Sequence, residues 1–123
     1  MPRILIIDDN ATETALMANA LTGTGYECLA ANGGEAGETL AREHSPDLIL
    51  LDVVMPGRDG FQTCRSLKKH PATAHIPVIM VTTKSGDSDR FWGMKQGATG
   101  YLCKPFLKDE LLRLVTQHCG VAA

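Results

Sequence analysis

No stretch of this 123-residue sequence is apolar for the roughly 18 residues that a membrane span requires. The opening residues, MPRILIIDDN, hold one basic and two acidic side chains, which argues against a secretion signal. The four cysteines (positions 28, 64, 103 and 119) never form a C-x-x-C pair, and without a secretion signal no disulfide framework is expected. His44, His70, His75 and His118 fall in no metal-ligand spacing and suit the surface or helix ends. No compact basic motif appears, which argues against nucleic-acid binding. A Gly-rich phosphate cradle is also missing. These gaps leave a soluble, cytoplasmic protein as the expectation, with neither membrane nor nucleic acid among its partners.

What is present suits one α/β domain over residues 1–123. Hydrophobic residues make up 44% of the chain, enough for a single well-filled core. Net charge is −2, divided unevenly: residues 1–61 carry −7 and residues 62–123 carry +5. RILII (3–7), ECLAA (27–31), DLILL (47–51), PVIMV (77–81) and TGYLC (99–103) read as strands. Helical patterns lie near 11–23, 34–44, 60–70, 87–97 and 108–118. Asn10 with Glu13, and Asn32 with Glu35, have capping-box spacing, while Asp59 and Asp87 suit the caps of the third and fourth helices. Nearly all-apolar strands are expected where helices cover both sheet faces. Strict βα alternation then implies right-handed crossovers and a doubly wound, three-layer domain. The fourth helix is weakened by Gly93, worth about 1 kcal/mol against Ala; it fits either an element that shifts at little cost or an ordinary short helix, and the sequence alone favours the ordinary helix.

In such a sheet, ligands bind outside the carboxyl ends of the strands, near the point where strand order reverses. The first strand ends in Asp8-Asp9 and the third in Asp52. If those strands are neighbours, three carboxylates converge on one crevice. Each has an ordinary alternative: Asp9 a helix cap, Asp8 a solvated acid, Asp52 a strand end. Together they demand compensation, because two such charges about 4 Å apart at an effective dielectric near 20 repel by roughly 4 kcal/mol. Hard oxygen ligands suit Mg²⁺, which typically takes one or two protein carboxylates. A remaining aspartate, with an ordinary pKa near 3.9, is anionic at neutral pH and a ready nucleophile for a phosphoryl group. Thr82 and Lys104 follow the fourth and fifth strands and add a hydroxyl and an ammonium at the same edge.

The pieces "IIDDN" (6–10), "LILLDVVMPGRDG" (48–60), "IPVIMVTTK" (76–84) and "GATGYLCKPF" (97–106) together resemble the response-regulator receiver domain, the CheY-like family of two-component signalling. The resemblance spans the whole chain. It implies a flavodoxin-like (βα)5 fold with a five-stranded parallel sheet in the order 2-1-3-4-5. It implies Asp52 as phosphoacceptor, with Asp8, Asp9, Asp52 and the Val54 backbone carbonyl holding Mg²⁺. Thr82 would be the switch hydroxyl, Tyr101 an aromatic rotamer switch, and Lys104 the partner of the phosphoryl group or of Asp52. The Lys104–Pro105 bond is expected to be cis. A histidine kinase of chemotaxis type, or its phosphotransfer domain, would supply phosphate. Output would pass through the face of the fourth helix, fifth strand and fifth helix to a motility protein or sister regulator, from a monomer or weak dimer without an effector domain.

Within the family, "VTTKSGDSDRFWGMKQGATGYLCKP" is similar to stand-alone regulators of chemotaxis-like systems for type IV pilus twitching motility. Departures occur at Thr83, where a small residue is usual, and at Val54 and Lys84, which border the hydrolytic water in relatives. Trp92 is expected to pack in the core rather than contact a partner. Two alternatives remain open: a small Mg²⁺-dependent phosphohydrolase using an aspartyl phosphate, and a receiver that only drains phosphate.

Overall fold

The computed structural model describes residues 2–119. Strands and helices alternate as β1 (Arg3–Ile7), α1 (Ala11–Ala20), β2 (Glu27–Ala31), α2 (Gly34–His44), β3 (Leu48–Leu51), α3 (Gly60–Lys69), β4 (Val78–Thr82), α4 (Asp87–Lys95), β5 (Gly100–Cys103) and α5 (Lys108–Cys119). All strand pairings are parallel, in the order β2-β1-β3-β4-β5. The doubly wound sheet expected from the alternation is present. No helix among the described residues is long and apolar enough to cross a membrane.

Period-two alternation divides the apolar strands between two core layers. Ile4, Ile6, Leu48, Leu50, Ile79, Val81 and Leu102 pack against Met17 and Leu21 of the α1 region and Leu111 and Val115 of α5. Leu5, Ile7, Ile49, Leu51, Val78 and Met80 face the other way, onto Ala41 of α2 and Cys64 and Leu67 of α3. All four β3 side chains are fully buried, each worth roughly 1.5–3 kcal/mol of transfer free energy. β3 is thereby anchored on both sides, which fixes the position of whatever follows Leu51.

Helix termini follow the local chemistry with three corrections. The Asn10 side chain caps α1 by accepting from the Glu13 N–H at 3.0 Å. Asp59 and Gln62 form a reciprocal capping box at α3. Asn32 does not cap α2: Gly33 occupies the cap position, so Asn32 lies one residue outside it. Nor does Asp87 cap α4. It is the first helical residue, Gly86 precedes it at the cap, and the Gly86 N–H donates to Asp89 at 3.2 Å. The first helix also ends earlier than its apolar pattern, at Ala20, and Gly23 turns the chain with φ of +80°.

Trp92 is not a core residue; it is 50% exposed. α4 meets the sheet through Gly93, its one buried residue. A Cβ there would lie 3.1 Å from the Tyr101 ring. The glycine that weakens the helix is thus the surface on which the tyrosine rests, and position 92 lies to one side of that contact.

Candidate functional site

The central strands bring the acids together. β1 and β3 are neighbours with Ile7 opposite Leu51, and the Asp52 N–H donates to the Ile7 carbonyl at 3.0 Å. Asp8 and Asp52 are therefore adjacent one step beyond the paired residues. One carboxylate oxygen from each of Asp8, Asp9 and Asp52 lies within 4.8 Å of the others. Asp8 and Asp52 are buried, at 1% and 7% exposure, while Asp9 is exposed.

Lys104 supplies the cation from β5. Its Nζ donates to Asp8 Oδ2 at 2.7 Å and stands 3.7 Å from Asp52 Oδ2. Register explains the grouping: Asp8, Asp52 and Lys104 continue the alternation of Ile6, Leu50 and Leu102, all in the α1–α5 layer. A fourth acid, Glu13 of α1, has its Oε2 3.8 Å from the same ammonium. In the sequence Glu13 has the spacing of a cap partner, and nothing local to it reveals Lys104, ninety-one positions later.

Burial pushes the Asp52 carboxyl above its ordinary range, and the neighbouring Asp8 charge acts in the same direction. Lys104, the Thr82 hydroxyl and the Val54 N–H oppose them. The Val54 N–H lies 3.4 Å from Asp52 Oδ1, and the Val54 side chain is exposed. Behind Asp52, Gly60 makes a close approach that only glycine permits: a Cβ would lie 2.2 Å from the Asp52 carbonyl oxygen. Arg58, in the loop after β3, pairs with buried Glu38 of α2, which also accepts from Ser66. This tie between α2, the loop and α3 is not evident in the sequence, because its three members have no shared spacing.

Thr82 is fully buried at the end of β4, and its hydroxyl bears on Asp52 and accepts from the Lys84 N–H at 3.3 Å. Thr83 and Lys84 are exposed. Tyr101 is partly exposed, and its hydroxyl donates to the Lys84 carbonyl at 2.6 Å. The Arg90 guanidinium lies 5.3 Å from the centroid of the Tyr101 ring and donates to Cys103 Sγ at 3.1 Å. Burial, together with Asp89 and Cys103, pushes the Tyr101 phenol up to about 12. The Lys104–Pro105 bond is cis. All four cysteines are free thiols.

One buried lysine faces more negative charge than it can offset, so the cluster can accept a further cation. Asp52 presents an anionic oxygen beside it. This is a doubly wound α/β fold with an acid cluster at its switch point, and the chain belongs to the response regulator receiver domain family, which matches it over residues 4–116. The chain is therefore a response-regulator receiver of two-component signalling. Among relatives, Protein PilH of Pseudomonas aeruginosa is 46% identical over 115 residues, spanning 94% of this chain and 95% of PilH. Several other curated relatives are longer, and the chain spans 24% to 52% of their length. The crystal structure of a response regulator from Chloroflexus aurantiacus superposes with a TM-score of 0.92 at 34% identity, covering 98% of this chain and 100% of that one. The receiver domain of a sensor histidine kinase from Pseudomonas aeruginosa has a TM-score of 0.89 at 27% identity, with 98% of both chains covered, and holds a magnesium ion in its active-site cleft.

Proposed function

We propose that Asp52 accepts a phosphoryl group from a histidine kinase or its phosphotransfer domain, and that the phosphorylated chain signals by changing its protein contacts. The observation that carries this reading is the placement of Asp52: at the end of a fully buried strand, within 4.8 Å of Asp8 and Asp9 oxygens and 3.7 Å from the Lys104 ammonium. The donors fit Mg²⁺, being hard carboxylate oxygens with charge in excess of what Lys104 offsets. Asp8, Asp9, Asp52 and the Val54 carbonyl would hold it, and the bound ion would supply charge stabilisation for phosphoryl transfer.

An Asp52 oxygen attacks phosphorus as the phosphorus–nitrogen bond of phosphohistidine breaks, so one bond replaces the other and the histidine ring nitrogen leaves with the electron pair. Lys104 exchanges part of its contact with Asp8 for a phosphoryl oxygen. Thr82, buried beside Asp52, donates its hydroxyl to another. Drawing Thr82 toward phosphate opens space on the Met80 side of the sheet. Tyr101, seated on Gly93 and held outward by Lys84 and Arg90, then turns inward and alters the α4–β5–α5 face. The likeness to PilH and to twitching-motility regulators supports a role in chemotaxis-like control of pili. The same acyl phosphate, hydrolysed with the help of this site, ends the signal.

Trp92 is the sole tryptophan and lies on the responsive helix, so its emission reports the transition. Beryllofluoride or a small acyl phosphate with Mg²⁺ should change wild-type emission and leave Asp52→Asn unchanged. Equal responses from the two would remove Asp52 from its role.

A further inference from the structure

α4 presents its large apolar residues outward: Phe91 is 64% exposed, Trp92 50% and Met94 48%. Trp92 does not stand with Tyr101 on the β5 side. It lines a cavity of about 420 Å³ between α3 and α4, together with Arg65, Lys68, Lys69, Lys95 and Gln96. That lining contains four basic residues and no acid. The two acids of α4, Asp87 and Asp89, lie in its first turn, at the far end from Lys95.

The four cations have different roles. Lys68 is committed internally, its Nζ donating to the Ile76 and Ala74 carbonyls at 2.5 and 3.3 Å. Its stem runs over Gly97, where a Cβ would meet Lys68 Cγ at 2.7 Å, and gives this cavity an aliphatic wall. Arg65 and Lys69 are exposed and form no ion pair with any described carboxylate. Lys95 likewise pairs with none and lies 5.5 Å from the centroid of the Phe91 ring. A tryptophan floor with unpaired cations at its rim suits a contact surface, since Trp and Arg are enriched where partners bind.

We infer that the α3–α4 groove binds an acidic protein segment that places an apolar side chain on Trp92 and carboxylates against Arg65, Lys69 and Lys95. Charge complementarity selects this occupant. The apolar floor requires an apolar group from the partner, and the rim requires anions around it. A nucleic-acid strand would need a longer track of cations than one short groove, and this chain is net negative. The surface is separate from Asp52 and its neighbours, so it stands independently of the phosphoacceptor reading.

The test is titration of the full chain with a short synthetic peptide of alternating Leu and Glu, followed by Trp92 emission. A saturable blue shift that weakens with salt is expected. Lys69→Glu combined with Lys95→Glu should weaken binding by roughly tenfold or more, with unchanged thermal unfolding showing that the fold is intact. Asp52→Asn should bind the peptide as wild type does, which separates the failure of this inference from the failure of the phosphoacceptor assignment. The inference is overturned by the absence of a saturable shift, by equal binding of the Leu and Gln analogue, or by indifference to the charge reversals. Tighter charge-dependent binding of oligodeoxythymidine or phosphatidylglycerol vesicles would also overturn it, by assigning the surface to another class of ligand.

Discussion

Lys104 bears on two buried carboxylates at once, 2.7 Å from Asp8 and 3.7 Å from Asp52. Removing one member of a buried charge group leaves the others unpaired, which typically costs about 3–5 kcal/mol. Lys104→Met is therefore expected to lose about 3 kcal/mol of stability in Mg²⁺-free buffer, measured by urea unfolding. Added Mg²⁺ should restore more stability to the variant than to wild type, because it meets a larger uncompensated charge; equal Mg²⁺ effects would contradict that account. The gathering of Asp8, Asp9, Asp52 and Lys104 was legible in the sequence because Asp8, Asp52 and Lys104 each directly follow a strand and Asp9 comes next after Asp8. Glu13 was not, since its approach to Lys104 depends on how α1 packs on β1 and α5. The Arg58–Glu38 pair was hidden for the same reason, as it joins a loop to a helix twenty positions earlier.

At the level of elements, strands were legible and helix surfaces less so. Four successive apolar residues in β3, too few for a helix and set in a βα alternation, read as a strand covered on both faces. α4 has no such pattern: its large apolar residues face solvent and a glycine makes the packing contact, so the usual inference that tryptophan is core fails at Trp92. Asn32 misleads for a smaller reason, a one-residue offset in where α2 begins. The loop from Asp52 to α3 is constrained by contact rather than by pattern. Gly60→Ala would drive a methyl group into the Asp52 carbonyl, 2.2 Å away. Because that neighbour is backbone, the strain has no flexible side chain to absorb it, and a loss of about 2 kcal/mol or more is expected. Urea unfolding measures the loss, and a wild-type midpoint would show that the α3 start can shift.

For the whole molecule, the charge asymmetry of the sequence partly survives folding. Lys104 crosses to the acids of the first half, whereas Arg65, Lys69 and Lys95 stay together between α3 and α4, where no sequence window shows them as one cluster. Global stability should also follow the thiols. Burial raises the Cys64 and Cys119 thiols from 9.0 to about 11. Both states are protonated below pH 9, so their contribution is then complete. Between about pH 9 and 11 the unfolded chain ionises first, and stability falls as pH rises. Urea midpoints should decline across that window, and Cys64→Ala should flatten part of the slope. An unchanged slope in that variant would remove Cys64 as a cause.

The strand order has a consequence during translation. β1 and β3 sit side by side at the centre of the sheet, and both leave the ribosome well before residue 104. A nascent chain can thus bring three aspartates together while the lysine that offsets them is still inside the exit tunnel. Each close pair then repels by roughly 4 kcal/mol at an effective dielectric near 20. Any docking of these strands before β5 joins them would have to be compensated by counterions from solution, a role that Lys104 fills in the finished sheet.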